Sequence, residues 1–573
     1  MFSNYDYDIV IIGGGISGVF LAYKLLATDL KVILFEGDKN LGGRIETYEK
    51  NDSSFEAGAA RFHSSHGKLI SLIHDLDLRD DLVRLPEEIV SVLRNSKDKN
   101  NYPYQTKWAK LTSDSLLKTS IDSKNLFEDK ELRGITFFQY LTLIYDHETA
   151  CYIKDAFGYD SEFVDLNAES ALSMFEDDLF GDNHYYLLKN GLSQLINKMK
   201  KAIMMSGTIV KTSTTIKEIT DKYVVTQKGE NFFFEHLICA IPHISLKQFD
   251  YFKDLPLIDS VKPIPLLRIY AKYPTKDLWF KNIKRTTTDN YIRQIIPIDY
   301  ESGLIMISYT DGKNTEYWDS YASLGEEYLI RALHKEIKEL FGIEPPDPEF
   351  VSVHYWKGGF HVWKIGEESQ KVSKEILKPF KNKEVYVCGE AYSLKQGWIE
   401  GALDTCYQLL NILPPLETYQ TVSYEYMCEG LSPPTFEGGL EEKKEIVKEK
   451  KKEKKKKDEV EKKEVVDGGV DKEEVKPKDK KLSVDQVLEE DEWIILEVNG
   501  KKNVYDISEW IPKHPGGSSI LRGVEANKHY QNPKLYPDSP TDLFKGNHVH
   551  AEAGAWEKYV EKNNDVVILI GYI

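Results

Sequence analysis

The chain has 573 residues, with 93 acidic against 75 basic side chains and a formal net charge of −18. Its length points to two to four domains, and its 41% hydrophobic content is enough for large buried cores. The acidic balance excludes general nucleic-acid binding, which relies on basic surfaces, and the scattered cysteines (Cys151, Cys239, Cys388, Cys406, Cys428), with no C-x-x-C pair, suggest neither a disulfide framework nor a zinc site and favour a reducing compartment.

Met1 to Tyr7 is polar and an aliphatic strand follows at once, so no signal peptide is expected. No uninterrupted apolar run is long enough to span a membrane, so the chain is expected to be soluble and cytoplasmic. Ile9 to Ile12 is a short β-branched run that suits a parallel strand covered on both faces. It leads into Gly13, Gly15 and Gly18, in G-x-G-x-x-G spacing, with Ser17 among them. The first glycine permits a tight turn, the second lets the backbone approach a pyrophosphate, and the third lets helix and strand pack closely. The helix N-terminus then offers free N–H groups and a positive dipole end to phosphates. A second aliphatic strand, Lys31 to Phe35, ends in Glu36, about where the ribose-binding acid of a dinucleotide fold belongs.

Leu41-Gly-Gly-Arg44 and Phe55-Glu-Ala-Gly-Ala-Ala-Arg-Phe-His63 come next. Together with the glycine turn, these residues resemble the flavin-dependent amine oxidases, the family of monoamine, polyamine and L-amino-acid oxidases. The resemblance implies an α/β, Rossmann-like FAD domain interleaved with an α+β substrate domain. It implies that Arg44 lies along the FAD, as a charge partner for its pyrophosphate, and that Gly58, Ala59, Ala60 and Arg61 pass close to the flavin ring.

Residues 76–185 carry mixed helical patterns and read as the helical part of the substrate domain, with most aromatics in its core. The chain is expected to return to the FAD domain over 186–250, after the first segment, 1–75. Strands are expected at Gly207 to Val210 and Thr215 to Ile219, then a hairpin through Tyr223 to Thr226 and Phe232 to Phe234, closed by another buried strand at His236 to Pro242. By resemblance, Ile216 flanks the adenine. Residues 251–370 read as the β-rich half of the substrate domain. There, Arg268 stands where the family usually carries a lysine that holds a water near flavin N5. Arginine is bulkier, forked and never neutral, which puts that water-mediated step in question. Tyr355 to Trp363 resembles the segment supplying one wall of an aromatic cage around the amine, with Phe360 or His361 as the wall.

The third FAD segment, 371–415, contains Val385-Tyr-Val-Cys-Gly-Glu390 and then Gly397-Trp-Ile-Glu-Gly-Ala402. The family pattern is a strand ending in G-E, a loop, and a helix opening with an aromatic residue and G-A. The resemblance assigns Gly389, Glu390 and Ile399 to the cofactor and Trp398 to the second cage wall. The helix N-terminus can stabilise negative charge at the flavin N1–O2 edge. Relatives that attach FAD covalently do so through a cysteine beside the first cage aromatic. Gly358-Gly-Phe-His361 has none, so the FAD is expected to be non-covalent.

Residues 416–440 read as an extended tail and 441–484 as a disordered linker of lysine and glutamate. Over 485–573, Trp493 to Gly500 and Asn503 to Ser508 read as strand, turn and strand, followed by His514-Pro-Gly-Gly517. This module resembles the cytochrome b5-like domain, a small α+β fold holding haem b. By resemblance His514 is one axial ligand to the iron and His550 the other, with His548 its rival; His529 is read as structural or surface. Two histidines close both axial positions, which suits electron transfer.

The expected function is FAD-dependent oxidation of a small-molecule amine to an imine, with Trp398, Phe360 or His361, and Arg268 around the reacting centre. Electrons then pass to oxygen, to the fused haem domain or to a redox partner. Two alternatives share the fingerprint: a flavin desaturase or isomerase acting on an apolar substrate, and a non-catalytic flavoprotein scaffold.

Overall fold

The computed structural model describes residues 5–413, apart from 87, 98–101, 109–110 and 180–183, together with three strands farther along. The chain divides into two compact units, Met1–Met427 and Cys428–Ile573.

The first unit is built on the strand Tyr7–Ile12, which pairs in parallel with Val32–Phe35 on one side and Asn231–Cys239 on the other. Ile209–Lys211 and Val385–Val387 extend the parallel sheet at its two ends. The apolar run of the first strand serves two cores at once. Val10 and Ile12 face a core shared with Phe137 and Phe175, whereas Ile9 and Ile11 face the helix Ile16–Lys24. Strand alternation sends successive side chains to opposite faces, so a sheet covered on both faces needs an unbroken apolar run. The hairpin Ile216–Ile219 and Tyr223–Thr226 adds to the same sheet. Its partner corrects one sequence expectation. Phe232 to Phe234 and His236 to Cys239 form a single strand, Asn231–Cys239, whose first half pairs with the hairpin and whose second half is buried in the parallel sheet.

A six-stranded sheet forms the second layer, in the order Phe350–Trp363, Val261–Lys272, Leu304–Asp311, Gln294–Asp299, Thr286–Thr288 and Val90–Val92. It is antiparallel except for the last pair. The helices Lys313–Leu324 and Glu326–Phe341 cover one face through Trp318, Leu333 and Ile337. Helices between Ser113 and Leu179 form a separate block around Phe137, Tyr140 and Phe163. A small three-stranded sheet brings Phe62–His63 against Tyr185–Leu188, with Leu82–Arg84 on the other edge. This pairing sets Tyr185 beside His63 and so beside the loop that carries Arg61.

In the second unit, Trp493–Val498 pairs antiparallel with Lys501–Asp506, and Ile568–Tyr572 pairs antiparallel with the other edge of Lys501–Asp506. The tail over 416–440, the linker over 441–484 and His514, His529, His548 and His550 lie outside the described residues. Among the described residues, no helix is long and apolar enough to cross a membrane.

Candidate active site

Gly13 turns the chain in the left-handed region (φ 105°), and a Cβ there would run into the Ala240 carbonyl oxygen. A Cβ on Gly18 would collide with the Gly13 carbonyl oxygen. These two glycines serve the close packing of strand and helix. Gly15 differs. It caps the helix Ile16–Lys24 with ordinary dihedrals, no side chain caps its N–H groups, and a Cβ on it would meet nothing within 4 Å. The free donors and the open space face a cavity of about 1040 Å³. Glu36 stands beside the turn. Its Oε2 accepts from the Gly14 N–H at 2.6 Å and its Oε1 from the Asp38 N–H at 2.8 Å. These bonds fix the carboxylate at the cavity wall while leaving lone pairs for ribose hydroxyls. An open glycine cradle at an uncapped helix N-terminus, with a carboxylate next to it, fits the phosphates and ribose of a dinucleotide.

Farther along the cavity, Glu390 ties three segments together. Its Oε2 accepts from Arg44 Nη1 at 2.6 Å and lies 2.9 Å from His361 Nδ1. Its Oε1 accepts from the backbone N–H groups of His361 and Gly397, at 2.9 and 2.8 Å. Burial alone pushes this carboxyl up, but Arg44, His361 and the Gly397 N–H outweigh it and hold it well below the usual carboxylate range. The bond to Gly397 also positions the next residue, Trp398, as the N-cap of the helix Ile399–Ile412, which has no side-chain cap. Ile399 and Ala402 of that helix line the cavity.

The far end is aromatic and cationic. Trp398 meets His66 edge to face at 4.9 Å between ring centres and stacks on Tyr185 at 6.3 Å. Burial, aided by Lys395 and Arg61, pulls His63 down to about 4, and burial with His63 and Lys395 pulls His66 down to about 3, so both rings are neutral near pH 7. Glu400 fixes His66 from a distance. It accepts from the Lys68 and Leu69 N–H groups, at 3.1 and 2.9 Å, in the first turn of the helix that follows. Arg61 Nη2 donates to the Tyr159 hydroxyl at 3.2 Å, and its guanidinium lies 4.8 Å from the Tyr185 ring centre. Tyr159 in turn meets Tyr309 edge to face. Arg268 lies 4.5 Å from the Tyr309 ring centre, and its Nη1 donates to the carbonyl oxygens of Glu56 and Gly58.

The cavity wall gathers many of the residues singled out in the sequence: Gly13, Gly15, Ser17, Glu36, Arg44, Gly58, Ala59, Ile216, Arg268, Gly389, Glu390, Trp398 and Ile399. Gly18 sits behind the turn, Ala60 and Arg61 are not part of the wall, and Arg61 is engaged with Tyr159. Arg44 is engaged with Glu390 and, at 3.1 Å, the Gly359 carbonyl oxygen. His361 does not form a cavity wall. Its ring is fully buried on Glu390, with Nε2 unpartnered. Phe360 is buried too, and a Cβ on Gly397 would lie 3.6 Å from its ring. The aromatic side chain that the strand Phe350–Trp363 presents to the cavity is Trp356, whose Nε1 donates to the Ala57 carbonyl oxygen at 2.8 Å. The reason is a bulge. Ile264 pairs with Phe360 and Leu266 with Trp356, so Lys357 to Gly359 interrupt the alternation. Tyr309 and Lys200 also line the cavity without a motif to announce them, because they reach it from a remote strand and a remote helix.

A profile of the family described as flavin containing amine oxidoreductase matches residues 16–407. Aplysianin-A of Aplysia kurodai is 22% identical over 70% of this chain and 89% of its own length. The L-amino-acid oxidase of Sistrurus catenatus edwardsii is 22% identical over 69% of this chain and 84% of its own. Among solved structures, a putrescine oxidase redesigned in its cofactor binding superposes with a TM-score of 0.60 at 15% identity, over 71% of this chain and 99% of that one. The last likeness is one of fold.

Proposed function

Since this chain belongs to the flavin containing amine oxidoreductase family, we propose that it oxidises a small-molecule amine to an imine at the cavity end bounded by Trp398, Tyr309 and Trp356. The observation that carries this reading is the continuity of one cavity from the phosphate cradle at Gly15 to those three rings. Non-covalently bound FAD supplies a two-electron acceptor for the hydride leaving the carbon that bears nitrogen. Gly15 and the N-terminus of Ile16–Lys24 hold its phosphates, and Glu36 its ribose. The uncapped N-terminus of Ile399–Ile412 favours negative charge gathering at its own end of the cavity. Trp398 orients the amine against Tyr309 and Trp356, which keep water from the reacting carbon. Arg268 holds the loop 56–58 in place through two carbonyl oxygens. Once formed, the imine is open to hydrolysis by water. The guanidinium of Arg268, buried at the cavity wall, does not suit an apolar substrate for desaturation or isomerisation.

The second unit supports a further part of the reading. The antiparallel pair Trp493–Val498 and Lys501–Asp506 precedes His514-Pro-Gly-Gly517, in the order of a cytochrome b5-like module. On this reading His514 and His550 would hold haem b, which would supply a one-electron acceptor as an alternative to oxygen, with the segment 441–484 keeping it on the same chain as the flavin site.

Anaerobic titration of the purified protein with a panel of amines tests both parts. The flavin absorbance should bleach, and the haem bands should then take their reduced form. Intact flavin that no amine bleaches overturns amine oxidation. Bleached flavin with lasting oxidised haem overturns internal transfer, and absence of haem bands removes His514 as a ligand.

A further inference from the structure

Successive residues at the start of the helix Ile399–Ile412 face three different neighbours. Ile399, like Trp398 before it, lines the cavity. Gly401 packs on the loop in front of the helix, where a Cβ would collide with the Lys395 carbonyl oxygen. Glu400 turns to a third side. It is buried, it is not part of the cavity wall, and it reaches the helix Gly67–Asp75.

That second helix does not cap itself. Its N-cap residue, His66, makes no side-chain cap bond, and its first turn holds no acidic residue. The first N–H groups of any helix lack partners within it, and the helix dipole favours a carboxylate beside them. Here the Gly67 N–H donates to the Ser65 carbonyl oxygen at 3.0 Å, and the Ile70 N–H to the His66 carbonyl oxygen at 2.9 Å. The N–H groups of Lys68 and Leu69 remain. Glu400 takes both, with Oε1 at 3.1 Å and Oε2 at 2.9 Å. One helix therefore supplies the cap of another.

The two helices also carry the two rings. Trp398 precedes Glu400 by two residues, and His66 precedes Lys68 by two. Their rings meet edge to face at 4.9 Å, and Tyr185 stacks on the same indole at 6.3 Å. The His66 ring is held in turn, since its Nδ1 accepts from the His63 N–H at 3.3 Å. Edge-to-face contact depends on ring geometry, and a site rotamer is kept by the packing and hydrogen bonds behind it. We infer that Glu400 is a positioning residue, which sets the Trp398 ring at the reacting end by clamping the helix N-terminus that carries His66. Its effect on rate rests on the amine-oxidation reading; its effect on the ring does not.

The experiment uses the full-length flavoprotein and the variants Glu400→Gln, Asp404→Asn, His66→Leu, Trp398→Phe and Glu400→Gln with Trp398→Phe. Glutamine keeps one acceptor but sets an amide nitrogen against the other N–H. Asp404 is the control, because it pairs with the Lys68 ammonium at 2.7 Å. His66→Leu keeps the Glu400 bonds and removes only the ring, so it reads the same link if Glu400→Gln does not fold. Flavin content and thermal unfolding establish which variants have folded. With an amine that reduces the flavin, Glu400→Gln and His66→Leu should each lower kcat by roughly 10- to 100-fold with KM moved less, the scale for a misplaced orienting group. Asp404→Asn should leave kcat unchanged. In the Trp398→Phe background the Glu400→Gln effect should shrink, because the two act through one ring. Losses that multiply, or an Asp404→Asn equal to Glu400→Gln, overturn the inference. A second readout needs no turnover. In protein labelled with 5-fluorotryptophan, the Trp398 fluorine resonance, assigned by its loss in Trp398→Phe, should shift in Glu400→Gln and in His66→Leu and stay in place in Asp404→Asn. A resonance that neither of the first two moves overturns the positioning role whatever the reaction. A resonance that moves in a protein whose flavin no amine reduces keeps the positioning role and removes amine oxidation.

Discussion

Arg44 and Glu390 lie 346 residues apart in the chain and meet at 2.6 Å at the centre of the cavity wall. The arginine comes from the loop after the ribose acid, the glutamate from the end of the last parallel strand. Their contact, extended by His361 and the Gly397 N–H, is what sets the first and third cofactor segments at a fixed distance.

Glu390→Gln should destabilise the protein by about 3 kcal/mol at pH 7, the scale for removing one member of a buried pair. The sign with pH follows from the depressed carboxyl. Its ionised form contributes stability that is fully present above the unfolded value of about 4.3 and is lost as pH falls below that toward the depressed folded value. Chemical denaturation at pH 7 and at pH 3 checks this, since the gap between wild type and variant should narrow in acid. A gap that is constant across the range would contradict it.

The two kinds of glycine in the first turn separate folding from binding. Gly15→Ala places a methyl group in open space, so the apoprotein should unfold at the wild-type temperature. The same methyl enters the phosphate cradle, and FAD affinity should drop at least tenfold, about 1.4 kcal/mol. Gly18→Ala should instead lower the unfolding temperature of apoprotein and holoprotein alike, because its Cβ meets the Gly13 carbonyl oxygen. Calorimetry with and without FAD distinguishes them, and equal behaviour of the two variants would refute the division.

Glu56 offers a titration in the physiological range. Burial raises its carboxyl to about 7, against the lowering effect of the Leu192 N–H, Thr47 and Arg268. For a carboxyl raised in the folded state, the folded protein binds more protons than the unfolded chain between about 4.3 and 7. Stability therefore falls as pH rises through that window and levels off above it. The full effect is at most roughly 4 kcal/mol. Glu56→Gln keeps an oxygen for the Leu192 N–H, which Glu56 Oε1 now accepts at 2.6 Å. The variant should gain on the wild type in unfolding free energy between pH 5 and pH 8. Parallel curves for the two proteins across that window would count against a buried, titrating Glu56.

Features that the backbone demands locally were legible in the sequence. A strand, a glycine with positive φ at Gly13 and a helix leave marks within a dozen residues, and so does the Gly389-Glu390 strand end. The substrate end was not legible for two physical reasons. The bulge at Lys357 to Gly359 shifts the alternation that a periodicity argument depends on, so Trp356 rather than Phe360 or His361 faces the cavity. Arg61 and Tyr159 are brought together by tertiary packing alone, from loops 98 residues apart, with no spacing to signal it. Arg268 was visible as a departure from the family pattern, but its two carbonyl partners, Glu56 and Gly58, could be found only in the folded chain.

Arg268→Lys restores the residue type usual in the family and tests what the arginine does here. A lysine ammonium is a point charge on a flexible stem and cannot lie flat over Tyr309 while donating to Glu56 and Gly58. The variant should fold with a loss of about 1–2 kcal/mol and retain FAD. Its chemistry should differ in pH dependence. Arginine stays charged throughout the accessible range, so Arg268 contributes no limb to the wild-type profile of flavin reduction. A lysine buried in its place, near Arg61, is pushed toward its neutral form by desolvation and by the like charge. As pH rises the variant should lose that charge first, and the rate of flavin reduction should acquire an alkaline limb absent from the wild type. Stopped-flow reduction measured from pH 6 to pH 10 reads this directly. Superimposable profiles would show that the charge at position 268 has no part in the reduction step and that Arg268 serves only to hold the loop 56–58.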